Sequence, residues 1–238
     1  MKIRKAKVDK LSTSIEHSDV NMDMRLVYIN FLASSVTSTN LDEREISVVA
    51  EVNYGTKKLK TTKLNLEQRI GGLDWPFHGI TMVGRIRLKV LQELLVTAFM
   101  NNIPGDYAEF GVWRGGASVF ARGVMRAYGQ GHRRSFVCDS FGGLPNSTYH
   151  QDGKTIWSNS KYLEVSDNEV AANFDEYSLL DRNVLFVKGF FSNSLVPFGK
   201  MAAAQNLTFF ILRCDGDMYE STVDILYNLY DKLSVGSM

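Results

Sequence analysis

One stretch constrains this chain more than any other: Asp106-Tyr-Ala-Glu-Phe-Gly-Val-Trp-Arg-Gly-Gly-Ala-Ser118. The apolar run at Tyr107, Ala108 and Phe110 predicts a short buried strand. The glycines from Gly111 to Gly116 predict a tight turn, because glycine takes positive φ freely and lets main chain approach closely. A helix is expected from about Ala117, with Phe120, Val124 and Ala127 on its apolar face. Strand, glycine turn and helix in this order form the ligand-binding unit of doubly wound α/β sheets. The helix N-terminus offers its N–H groups to an acceptor.

The spacing is Glu-x-Gly-x-x-x-Gly, not Gly-x-Gly-x-x-Gly. That moves the expected ligand from a dinucleotide towards S-adenosylmethionine (SAM), whose cationic methionine end suits an acid such as Glu109. A turn that serves packing alone fits the same residues. Further along, Ser135-Phe-Val-Cys-Asp139 predicts a second strand ending in an acid, the position that takes ribose hydroxyls in nucleotide-binding α/β folds.

The rest of the chain is read around this unit. Residues 1–73 are expected to be an N-terminal extension with one helix, Met24 to Val36, and partly irregular chain; residues 74–238 are expected to be the ligand-binding domain. Residues 1–20 are polar, and Ile46 to Val52 suits a short strand or helix. Lys57, Lys58, Lys60 and Lys63 read as a solvated face. After the break at Asp74-Trp-Pro76, a helix is expected from about Arg85 to Asn101. Residues 140–165 suit a long loop over a site, and Ser166-Asp-Asn-Glu169 is a capping-box pattern opening another helix. Val184–Val187 and Leu207–Leu212 read as a third and a fourth strand, and Met218 to Leu233 as a last helix.

Composition excludes several classes. The 238 residues carry a formal net charge of +1, so no global field points to nucleic acid. No apolar stretch has the roughly 18 residues of a membrane span. The basic N-terminus lacks the apolar core of a signal peptide, so a cytoplasmic protein is expected, with organelle targeting left open. Cys138 and Cys214 permit one bridge, but both sit in apolar runs and read as buried thiols. His78, His132 and His150 show no metal-ligand spacing. Trp75 and Trp113 read as packing residues. Arg114 is expected to reach a carboxylate, of SAM or of Glu109, or solvent.

Taken together, the motifs resemble one family. They are Asp74-Trp-Pro76, Thr81-Met-Val-Gly84, Pro104-Gly-Asp106, Glu109–Gly116, Asp139-Ser-Phe-Gly-Gly-Leu-Pro145, Lys188-Gly-Phe-Phe191 and Asp215-Gly-Asp-Met-Tyr-Glu-Ser221. In this order, over roughly residues 24–235, the chain resembles the macrocin O-methyltransferases, SAM-dependent enzymes that methylate sugar hydroxyls of macrolides. The resemblance implies a Rossmann-like class I methyltransferase fold with a mostly parallel sheet and a magnesium ion. It implies that Glu109, Gly111 and Gly115 line the methionine end of SAM, that Asp139 holds the ribose and that Ser140 sits beside the adenosine. Thr81 and Met82 would lie near cofactor or acceptor. Asp215 would be a metal ligand and the base for the acceptor hydroxyl, with Asp217 a second ligand; a plain helix-cap role for Asp217 fits as well.

The sequence also departs from the family. Family members continue past the last helix into further strands and an Asp-Asp-Tyr motif that completes the metal site, whereas here Leu233-Ser-Val-Gly-Ser-Met238 is the end. The fold is therefore expected to lack its C-terminal strands and to leave the fourth strand as an exposed apolar edge. Gly142 and Ile80 replace polar residues of the family pattern, and residues 43–73 lack a clear counterpart. The expected function is methyl transfer to a hydroxyl of a sugar or another small molecule, with no nucleic-acid or membrane partner and with a homo-oligomer as an option. The alternatives are an inactive relative acting as a binding or assembly protein, and a fold completed by another chain.

Overall fold

The computed structural model describes residues 23–41, 45–53, 56–146, 150–152 and 160–238. The expectation for residues 1–20 lies outside them. The elements in chain order are α1 (Met24–Val36), β1 (Ile46–Asn53), β2 (Thr56–Lys63), α2 (Leu66–Gly71), β3 (Trp75–Pro76), α3 (Gly84–Met100), β4 (Asp106–Phe110), α4 (Gly116–Ala127), β5 (Ser135–Asp139), α5 (Asp167–Glu176), β6 (Val184–Lys188), α6 (Phe191–Ala204), β7 (Phe209–Cys214) and α7 (Tyr219–Leu229).

Four of the strands form a sheet in the order β6-β5-β4-β7, with every neighbouring pair parallel. Parallel strands need crossovers, and the helices of those crossovers cover both faces. Tyr107, Val137 and Ile211 pack with α1, α3 and α4, while Ala108, Phe110, Phe136 and Phe209 pack with α6 and α7. The chain runs outward through β5 and β6, then returns to place β7 on the other side of β4. The carboxyl ends of β4 and β7 therefore flank a topological switch point, where open α/β sheets bind ligands.

Two expectations need correction. The helix α4 is not one-sided: ten of its twelve residues, Gly116 to Met125, are buried. It lies between the sheet and α1, α3 and α5, so it has little outer face. Gly123 permits this, since a Cβ there would come within 2.3 Å of Leu32 on α1. The second correction concerns β7. Ser234 and Met238 donate backbone hydrogen bonds to Phe209 and Phe210, and Leu212 donates to Met238. The last residues thus run along the outer edge of β7, and Phe209, Phe210 and Ile211 are buried rather than exposed.

Residues 45–76 build a second sheet, antiparallel, in the order β2-β1-β3. Ile46 to Val52 is thus strand and not helix. Lys60 and Lys63 are exposed on β2, an edge strand of a kind that charged side chains protect. Behind this sheet Arg69 is almost wholly buried and forms ion pairs with Glu45 (3.3 Å) and Asp74 (2.8 Å). It also donates to the carbonyls of Thr37 and Ile46. Glu45 accepts from the backbone N–H groups of Phe77 and His78, which leads the chain towards Thr81.

Candidate active site

A cavity of about 380 Å³ opens at the carboxyl edge of the parallel sheet. That lies within the size range of small-molecule clefts, about 300–1,000 Å³. Thr81, Met82, Glu109, Gly111, Asp139, Ser140, Asp215 and Asp217 all line it. Of the residues expected to hold cofactor or metal, Gly115 alone is not on the lining. It takes φ 82 as the N-cap of α4, and a Cβ there would meet Val170 of α5 at 2.6 Å. Its part is to let the turn pack.

Gly111 is where the two halves of the site meet. It has φ 86, and a Cβ would lie 2.2 Å from the carbonyl oxygen of Asp215. Asp215 donates its own N–H to Phe110. No residue with a side chain in its ordinary conformation fits between these strand ends.

Glu109 and Arg213 are register partners on β4 and β7. Glu109 is 1% exposed. It accepts from the Tyr107 hydroxyl (2.9 Å), the Ser118 hydroxyl (2.5 Å) and Arg213 Nη1 (2.8 Å). Burial pushes its carboxyl above the ordinary range, against the pull of Arg213 and the hydroxyls. Arg213 Nη2 pairs with Asp215 at 2.8 Å. Burial works to lower the Arg213 pKa, but the charges of Glu109 and Asp215 outweigh it and hold it raised.

Asp139 stitches the floor together. One carboxylate oxygen accepts from Val112 N–H at 2.7 Å, and the other accepts from Phe141 N–H at 2.9 Å. It thus ties the β5 end to the glycine turn after β4. Ser140 donates to the Gly143 carbonyl at 2.7 Å and accepts from Gly142 N–H, which shapes the loop beyond β5.

The wall at β7 and α7 is acidic, with Asp215, Asp217, Glu220 and Asp224 all on the cavity. Asp217 adopts φ 62. It is open to the cavity but flanked by protein, and burial together with the charges of Asp215 and Asp139 pushes it to about 6. It does not cap α7. That cap is Asp152, which accepts from the N–H groups of Tyr219 (2.6 Å) and Glu220 (3.4 Å). Glu220 and Asp224 are an i, i+4 pair on α7, a spacing visible in the sequence once α7 is placed beside the site. Burial and then Glu220 raise the Asp224 pKa. Among the described residues, no group of three or more His, Cys, Asp or Glu is set to hold a metal ion.

Aromatic side chains cluster beside the cavity, with Trp75 and Trp113 on its lining. Tyr162 stacks on Trp75 with ring centroids 5.2 Å apart, and it lies 5.6 Å from Trp113. Trp113 Nε1 donates to the Tyr162 carbonyl, and the Tyr162 hydroxyl donates to the Pro76 carbonyl. Trp75 and Trp113 therefore pack as expected while also lining the cavity. Arg114 is half-buried and does not pair with Glu109, whose cationic partner is Arg213. It donates to the carbonyls of Pro76, Phe77 and Gly79 and sits over the Trp113 ring at 4.3 Å.

Elsewhere, Cys138 is buried and free, and burial pushes its thiol well up; Cys214 is free but exposed, contrary to its expected burial. His78, His132 and His150 are exposed. No described helix is long and apolar enough to cross a membrane.

Comparison with known proteins gives this geometry a context. The profile of the macrocin-O-methyltransferase (TylF) family matches residues 25–238. The chain is 42% identical over 176 residues to demethyldecarbamoylnovobiocin O-methyltransferase of Streptomyces niveus, which covers 71% of this chain and 64% of that protein. The chain thus spans a little under two thirds of that relative's length. It is 37% identical over 220 residues to 8-demethyl-8-(2,3-dimethoxy-alpha-L-rhamnosyl)-tetracenomycin-C 4'-O-methyltransferase of Streptomyces olivaceus, over 90% of this chain and 78% of that one. The structure of the O-methyltransferase NovP superposes with a TM-score of 0.74 at 35% identity, over 90% of this chain and 81% of that one. The fold is the mixed α/β, Rossmann-like fold of class I methyltransferases.

Proposed function

The chain belongs to the macrocin-O-methyltransferase family, and from that premise we propose that it transfers a methyl group from SAM to a hydroxyl of a sugar or another hydroxylated small molecule, with magnesium assisting. One observation carries the reading: the cavity at the switch point of the parallel sheet gathers Glu109, Gly111 and Asp139 on its floor and Asp215 and Asp217 on its wall.

In this reading Gly111 and the turn behind it receive the methionine end of SAM, with Gly115 setting the turn and Glu109 beneath it. Asp139 has lone-pair capacity beyond its two backbone contacts and would take the ribose hydroxyls. Ser140 would flank the adenosine, and Thr81 and Met82 the reacting end. The transfer is a displacement at carbon, with the acceptor oxygen in line with the sulfonium leaving group. Holding those atoms in line supplies much of the rate. Asp215 would accept the hydroxyl proton as the new C–O bond forms. Tyr162, Trp75 and Trp113 would exclude water from that side.

In this reading Asp215 and Asp217, both on the cavity wall, would hold the magnesium ion, which takes one or two carboxylates together with water and substrate. Bound there, the ion would lower the pKa of the acceptor hydroxyl. The two acids suit it for a further reason: the charge that Asp217 resists is the charge a cation neutralises.

Titration calorimetry of SAM into the protein, with and without magnesium, tests the reading. Binding that is lost in Asp139→Ala is expected. Absence of binding by the wild-type protein at millimolar SAM would overturn it.

A further inference from the structure

We propose that Arg213 is a positioning residue, anchored by Glu109 so that it fixes the Asp215 carboxylate by one oxygen and leaves the other to the cavity. The inference rests on the methyltransferase reading for the role of Asp215, but its geometry stands without it. It departs from the expectation that Glu109 itself meets the methionine end of SAM.

Three observations carry it. The Glu109 carboxylate, 1% exposed, already accepts from Tyr107, Ser118 and Arg213, and a carboxylate has about four lone-pair sites. Little capacity is left for a ligand. The Arg213 fork divides between two acids, Nη1 to Glu109 and Nη2 to Asp215 Oδ2, each at 2.8 Å. A planar guanidinium held at one end is set in direction at the other. The register of the sheet sets Glu109 and Arg213 side by side, and Asp215 follows two residues after Arg213. The line Ser118/Tyr107–Glu109–Arg213–Asp215 thus runs from the helix α4 to the acid at the cavity wall.

The test uses the full chain and a readout that needs no acceptor, the position of the Asp215 carboxylate. Crystal structures of Arg213→Met and Glu109→Gln are expected to show the Asp215 carboxylate turned from its position, and Arg213→Lys is expected to restore it. Arg213→Met leaves Glu109 buried without its partner, so the double variant Glu109→Gln/Arg213→Met, in which neither charge remains, is made beside it. An unmoved Asp215 in both the single and the double variant would overturn the proposal. Failure of the wild-type protein to bind SAM would strike the methyltransferase reading instead, while the position of Asp215 would still decide the role of Arg213.

Discussion

Replacing Gly111 by alanine separates two costs of the turn after β4. Gly111 holds φ 86, and an added Cβ would sit 2.2 Å from the Asp215 carbonyl oxygen. Forcing alanine into the left-handed region costs about 1–2 kcal/mol. The clash adds to this because both sides of it are main chain at the ends of neighbouring strands, where no side chain can rotate away. Spreading those ends is overpacking, which costs about 1–3 kcal/mol. The sum, about 2–5 kcal/mol, is a large part of a typical stability of about 5–15 kcal/mol, so the variant should fold with a lowered midpoint. Gly129 is the control: its φ is 71 and nothing lies within 4 Å of an added Cβ. Gly129→Ala should carry only the conformational cost. Urea denaturation is expected to show Gly111→Ala losing at least about 1 kcal/mol more than Gly129→Ala. Under the proposed function, calorimetry should also show SAM affinity reduced about tenfold or more in Gly111→Ala alone. Equal losses of stability in the two variants would refute the argument that the strand ends meet too closely for a Cβ.

Asp217→Asn tests the charge balance of the wall. The folded protein holds this carboxyl at about 6 against an ordinary 3.8, so it weakens the fold fully above pH 6 and not at all below 3.8. The asparagine variant, which tolerates left-handed φ, should therefore melt higher than wild type at pH 8 and equally at low pH; the same gain at both pH values would count against the assignment. Arg69→Met should cost about 3–5 kcal/mol in chemical denaturation, since it strands Glu45 and Asp74 in the interior, and a loss below 1 kcal/mol would show that the network is dispensable. Asp152→Ala should cost about 0.5–2 kcal/mol through the cap of α7, and an unchanged midpoint would remove Asp152 from that role.

The parallel core was legible because its signals are local. Strands β4 to β7 are short apolar runs followed by glycine, aspartate or capping residues, and Ser166 does accept from Glu169 N–H at 3.2 Å as its motif predicts. That the expected residues line one cavity could be read because a class I fold delivers strand ends to one edge. What escaped the sequence depended on partners far along the chain. The helix α6 is hidden by Pro197 inside it, which removes a helical hydrogen bond and reads as a breaker. The strand β2 is hidden by lysines and threonines that only pairing with β1 organises. Arg213 looks like a polar interruption of an apolar strand until its register with Glu109 is known. Asp152 caps a helix that begins 67 residues later, and no periodicity relates the two.

The N-terminal sheet takes its meaning from the same long-range logic. An arginine as buried as Arg69 is costly unless it is fully paired, and such ion pairs seldom raise stability over an apolar packing. Its partners suggest another use. Glu45 holds the backbone at Phe77 and His78, and Asp74 precedes β3. Immediately beyond, the carbonyls of Pro76, Phe77 and Gly79 receive Arg114 from the glycine turn, and the carbonyl of Ile80 receives Gly116 N–H. The polar network behind β1 therefore fixes a segment that is bonded directly to the turn under the cavity, one residue before Thr81 enters its wall. Apolar residues in place of Arg69, Glu45 and Asp74 could fill the volume, but they could not hold those backbone groups in direction. On this argument the network serves the placement of residues 76–82 more than the stability of the sheet.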